Sequence, residues 1–138
     1  MKRKRRPAHF LLVAALLAGT LLGLSTPARA AFHMMLITEV FPGGEDAPKA
    51  QYVELQMYFP FQNVADHQVL VFNAKGKRVG KFVFPGAVAN FLYSDHVLIA
   101  TSEAEELFGI DADLVMKPAL IARGGKVCWE NVDCVSWG

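Results

Sequence analysis

Apolar and polar residues alternate along this chain in short runs rather than in helical stripes. In residues 51–59, Val53, Leu55 and Met57 alternate with Glu54 and Gln56. That is the two-residue period of a strand with one buried face. Residues 34–41, 68–73, 77–84 and 97–101 are similarly rich in branched and aromatic side chains, and predict further strands. Turn-forming compositions separate them. Pro42-Gly43-Gly44-Glu45-Asp46-Ala47-Pro48 reads as a loop, and Ala74-Lys75-Gly76 as a hairpin turn with glycine in the left-handed position. Pro85-Gly86 interrupts the chain before a polar loop at Asn90 and Ser94-Asp95. Residues 102–109 alone predict a helix, capped by Ser102, with Glu105 three residues on and Gly109 as the stop. Residues 114–116 and 119–122 predict two short strands, and Gly124-Gly125 turns into a last hairpin. Eight or nine short strands with one short helix point to an all-β antiparallel sandwich. The βαβ units of a parallel sheet need longer helical patterns between strands.

The N-terminus follows a different pattern. Lys2-Arg3-Lys4-Arg5-Arg6 precedes an almost wholly apolar stretch over 10–24, and Ala28-Arg29-Ala30 ends the segment. A basic run, a short apolar run and an A-x-A site are the three parts of a secretory signal peptide, here residues 1–30. Fifteen apolar residues are short for a bilayer span, which takes about twenty. An uncleaved signal anchor is the alternative. The expected product is one secreted, periplasmic or extracellular domain over 31–138, with no membrane span after signal cleavage. The division also changes the charge. Residues 31–138 hold eight Lys and Arg against all thirteen Asp and Glu, a formal −5. A net acidic domain is a poor partner for nucleic acid.

Cys128 and Cys134, the two cysteines of the chain, both fall in the exported part. An oxidising compartment makes a disulfide the first reading. Two short strands around Glu130-Asn131-Val132 would set the cysteines directly opposite each other, close enough to bridge. The C-x5-C spacing lacks the C-x-x-C pattern of redox pairs, and two ligands make a poor zinc site.

Several short motifs, in order, resemble the lamin-tail domain family. They are Leu36-Ile37-Thr38-Glu39-Val40, the loop with Gly43-Gly44, Tyr52-Val53-Glu54-Leu55, the turn from Asn73 to Gly76, and Phe84-Pro85-Gly86. Val97-Leu98-Ile99-Ala100-Thr101 and Gly124-Gly125 to Trp129 continue it over nearly all of 31–138. The cysteine hairpin is similar to that of secreted bacterial members. The resemblance implies an immunoglobulin-like β-sandwich used for adhesion or interaction, often beside hydrolases or nucleases. Three departures stand against it. The strand near Val69, with His67-Gln68 beside it, lacks a tryptophan often found there. No coiled-coil rod or catalytic neighbour accompanies the domain. The chain also ends at Trp137-Gly138, where the family would run on, so a truncated remnant with an unpaired sheet edge is a further reading.

Candidate chemistry is sparse. His33, His67 and His96 are scattered near strand ends, and no serine lies in a G-x-S-x-G elbow. Glu39 and Glu54 sit inside strand runs and should point outward. As a facing pair they would suit carboxylate or metal-assisted hydrolysis, with His67 or His96 beside them. Glu45, Asp46, Asp111 and Asp113 offer loop oxygens to calcium, though six to eight ligands are needed. Tyr58-Phe59-Pro60-Phe61 and Phe91-Leu92-Tyr93 are apolar clusters near loops, suited either to packing or to an exposed recognition patch. The function expected is therefore a secreted, non-catalytic module with no cofactor, binding a protein or cell-surface polymer. A hydrolase centred on Glu39 and Glu54 is the alternative.

Overall fold

The computed structural model describes residues 31–89 and 92–138, so the signal-peptide reading of 1–30 lies outside the described residues. The strands are β1 (Met35–Phe41), β2 (Tyr52–Met57), β3 (Gln68–Asn73), β4 (Arg78–Val83), β5 (His96–Ala100), β6 (Leu114–Val115), β7 (Gly125–Trp129) and β8 (Asp133–Trp137). One helix, α1 (Ser102–Phe108), follows β5. Two four-stranded sheets form, ordered β1-β2-β5-β6 and β4-β3-β7-β8. This is an all-β sandwich, in which the sheet of β1, β2, β5 and β6 faces the sheet of β3, β4, β7 and β8.

Alternation decides which side chains fill the space between the sheets. Met35, Ile37, Val53, Leu55, Met57, Val97 and Ile99 point inward from the first sheet. Val69, Val71, Val127 and Trp129 meet them from the second, with Val64, Phe84, Met116 and Leu120 closing the ends. Burying each such side chain is worth about 1.5–3 kcal/mol. Trp129 is fully buried, and its indole N–H donates to the Phe32 carbonyl at 3.0 Å. Val69 pairs directly with Trp129 in the ladder, which sets the indole beside the middle of the second sheet.

β1 carries a bulge. Ile37 pairs with Leu55 and Glu39 with Glu54, which leaves Thr38 as the extra residue. Two consecutive side chains, Thr38 and Glu39, therefore face outward. The Ile37 amide donates across the sandwich edge to the Asp133 carboxylate on β8 at 2.8 Å.

The structure corrects four details of the sequence reading. First, Thr101 and not Ser102 caps α1: its hydroxyl accepts from the Ala104 amide while Gly109 closes the helix at φ 65°. Thr101 is buried, where its hydroxyl also donates to the Lys49 carbonyl, whereas Ser102 is exposed. Second, β6 pairs with β5 in parallel, so the sandwich is not wholly antiparallel. Third, β6 spans two residues instead of the three expected. Fourth, residues 119–122 form no strand. The buried Gln51 side chain satisfies that segment instead. Its Oε1 accepts from the Ala119 and Leu120 amides at 2.9 Å, and its Nε2 donates to the Leu120 carbonyl at 2.7 Å. The same nitrogen reaches the Pro42 and Pro48 carbonyls at 3.1 and 3.0 Å. A side-chain amide has taken the place of a neighbouring strand.

The two hairpins follow the expected chemistry. Gly76 turns β3 into β4 at φ 74°. Cys128 pairs with Cys134 across β7 and β8, their Cα atoms 4.1 Å apart and the sulfurs bonded.

Candidate functional site

The outer face of the first sheet collects the polar residues. Tyr52, Glu54 and Gln56 are spaced by two on β2, so all three point away from the core. Register sets Glu54 against Glu39 on β1 and against Leu98 on β5, and sets Gln56 against His96. The two carboxylates do share a face, with His96 beside them. His67 is elsewhere, stacked on Phe32 at 3.6 Å and near Glu130 at 3.4 Å. His33 is exposed, and its carbonyl accepts from the Tyr58 hydroxyl at 3.3 Å.

The polar groups on this face largely satisfy each other. Glu54 Oε1 lies 2.8 Å from His96 Nδ1 and accepts from the Thr38 hydroxyl at 3.0 Å. Gln56 Nε2 lies 3.1 Å from His96 Nε2 and donates to the Ser94 hydroxyl at 3.1 Å. His96 therefore bridges the Glu54 carboxylate and the Gln56 amide, one at each ring nitrogen. With Nδ1 on Glu54, Nε2 is the nitrogen a general base would offer, and Gln56 occupies it. The Tyr52 hydroxyl donates to Glu39 at 2.7 Å. Burial, and then that bond to an anion, push the Tyr52 phenol up to about 12.

Beside this network lies a shallow groove of about 260 Å³, lined by Glu39, Tyr52, Glu54, Leu98, Phe108 and Ile110. Phe41, Tyr52 and Phe108 pack around its end with ring centres 5.4–5.8 Å apart. A larger depression of about 530 Å³ runs along α1 between Pro48 and Leu107, with Lys49, Glu103 and Glu106 as its charged lining.

The second candidate surface is the end of the sandwich where β2 finishes and β5 begins. The Ser94 amide donates to the Met57 carbonyl at 2.8 Å, and the Met57 amide to Asp95 at 2.9 Å, which holds the two loops side by side. Tyr58, Phe59, Phe61, Leu92 and Tyr93 on these loops are each 45–70% exposed. Phe91 lies outside the described residues. Phe61 and Ser94 adopt left-handed backbone, at φ 63° and 69°, a conformation costly for residues other than glycine. Of the two fates open to these clusters, exposure is the one adopted.

The loop acids are not gathered. Glu45 and Asp46 are exposed in the β1–β2 loop, and Asp111 is exposed after α1. Asp113 accepts from the Leu98 amide at 2.8 Å and so holds β6 against β5. Among the described residues, no group of three or more His, Cys, Asp or Glu is placed to hold a metal ion. Also among them, no helix is long and apolar enough to cross a membrane.

Sequence reasoning missed Thr38, Tyr52, Gln56 and Ser94 as members of the polar face. The spacing of Tyr52, Glu54 and Gln56 carried the signal for two of them. The bulge that turns Thr38 outward has no such mark.

Comparison with protein-family models, with curated proteins and with solved structures finds no match. What the fold defines is a class: a two-sheet β-sandwich with a disulfide-bridged terminal hairpin.

Proposed function

We propose that residues 31–138 form an exported, non-catalytic recognition module of the lamin-tail kind, which holds a protein or cell-surface polymer through its aromatic end. The exposure of Tyr58, Phe59, Phe61, Leu92 and Tyr93 on two hydrogen-bonded loops carries this reading. Large apolar side chains left together in water cost solvation, and clustered aromatics are the residues that dominate recognition surfaces. The backbone conformations at Phe61 and Ser94 add a second cost at the same place. The bridge between Cys128 and Cys134 suits an oxidising compartment.

The test uses envelopes isolated from the producing cell, as intact material and after protease treatment. Phe59→Ser with Tyr93→Ser should weaken binding at least about tenfold with an unchanged melting temperature. Equal binding by the variant would overturn the reading. Survival after protease treatment identifies a polymer, and loss identifies a protein.

The hydrolase keeps one observation in its favour, the pairing of Glu54 with His96 at 2.8 Å on the face that also carries Glu39. Against it, His96 Nε2 is engaged by Gln56. Turnover of a glycan or ester that disappears in Glu54→Gln would establish the enzyme.

A further inference from the structure

The formal −5 of residues 31–138 conceals two regions of opposite sign. The first sheet, α1 and their connections carry ten of the thirteen acids with only Lys49 and Lys117. The second sheet and its turns carry the other six cations, Lys75, Lys77, Arg78, Lys81, Arg123 and Lys126, with three acids. Those three, Asp66, Glu130 and Asp133, lie at the end where β3 begins and β7 ends. The cations gather on β4 and at the opposite end, around the β3–β4 turn and the start of β7.

These cations also lack internal counterions. Among the described residues both salt bridges are made by histidine, and no lysine or arginine reaches a carboxylate. Keeping lysines on the edge strand β4 protects against strand pairing. That explanation covers Lys81 and Arg78 but not Lys126, which stands on the interior strand β7, 4.8 Å above the Phe72 ring. Register places Arg78 and Lys126 on either side of Phe72, about 10 Å apart across three strands.

The surface between them has shape. Two depressions of about 320 and 290 Å³ meet at Asn73 and Ala74. Lys126 and Trp137 line the first, and Lys75 and Arg123 the second. Trp137 lies so close over Gly125 that a Cβ there would come within 2.9 Å of the ring, and its indole N–H donates to Ile121 at 2.8 Å. The Trp137 ring packs toward the core and braces the end of the sheet from within, so the depressions themselves are bordered by a row of cations.

We infer that this face binds an acidic polysaccharide. A row running from Arg123 to Lys81 is longer than a small anion can touch, so its complement is a polymer. Four of the six cations are lysines, which act as point charges and do not demand the bidentate geometry that arginine offers phosphates. Nucleic acid packs its charge more densely, one per about 1.7 Å of duplex, and meets greater repulsion from the acidic half of the domain. Single strands require ring platforms for their bases, and here Lys126 already covers Phe72. The face is at the opposite end of the strands from the aromatic loops, so this inference does not rest on the reading given above.

The experiment measures binding of the full chain to alginate, to neutral dextran and to duplex DNA. Wild type should bind alginate and not dextran, and should release it as salt rises. Lys77→Glu with Lys81→Glu, both exposed, should lose at least about tenfold in affinity. Lys75→Glu with Arg78→Glu repeats the test should the first pair fail to fold. Lys49→Glu with Lys117→Glu makes the same change in net charge elsewhere and should keep its binding within about threefold. Equal retention on alginate and dextran, equal losses in the two kinds of variant, or tighter binding to DNA would each overturn the inference.

Discussion

Gln51 shows how much one buried side chain can settle. Its amide serves five backbone groups drawn from two loops, and substituting an apolar residue leaves those groups dry and unpaired. Unsatisfied buried groups cost about 1–3 kcal/mol each, with relaxation recovering part. Gln51→Leu should therefore lower stability by about 3 kcal/mol or more in a urea titration, although the volumes are similar. Tyr52 makes a different case. Its phenol is raised from 10.0 to about 12 in the folded chain, so the folded state favours the neutral form. That contribution is fully present below pH 10 and is lost as pH rises toward 12. Denaturation followed across this window should show a smaller alkaline loss in Tyr52→Phe than in wild type. An identical loss would mean that Tyr52 titrates normally.

At the scale of elements, the terminal hairpin is the piece most completely anticipated by its residues. A three-residue turn at Glu130 to Val132 places Cys128 opposite Cys134, and the bridge then fixes a register that a one-residue slip would invert. Closing so short a ring adds about 2 kcal/mol. Reduction should lower the melting temperature without abolishing the fold, and thiol titration of the unreduced protein should find no free sulfhydryl. Strands with an alternating pattern were equally legible, because β2 and β3 have one dry face and one wet one. Residues 119–122 were not, since their apolar composition is that of a strand while their hydrogen bonds come from a glutamine nearly seventy positions away. Thr101 was misjudged for a related reason. Either of two adjacent hydroxyl residues can cap a helix, and only burial selects between them. The bulge at Thr38 leaves no trace in the pattern, yet it determines that Thr38 and Glu39 both join the outer face.

For the molecule as a whole, composition identified the architecture and misdescribed the surface. Fifteen scattered buried residues from five strands and their loops suffice to define the sandwich. A summed charge of −5 cannot say that six of the eight cations go with one sheet and ten of the thirteen acids with the other, because strand order decides which hairpins become neighbours. Separated charge centres of this kind give the domain an electric dipole that runs through the thickness of the sandwich. An external field exerts a torque on such a body before anything touches it. Near a negatively charged layer the domain turns its lysines inward and its helix outward. Copies settling on that layer would share one orientation about the field direction, each displaying the same acidic face to the surrounding fluid.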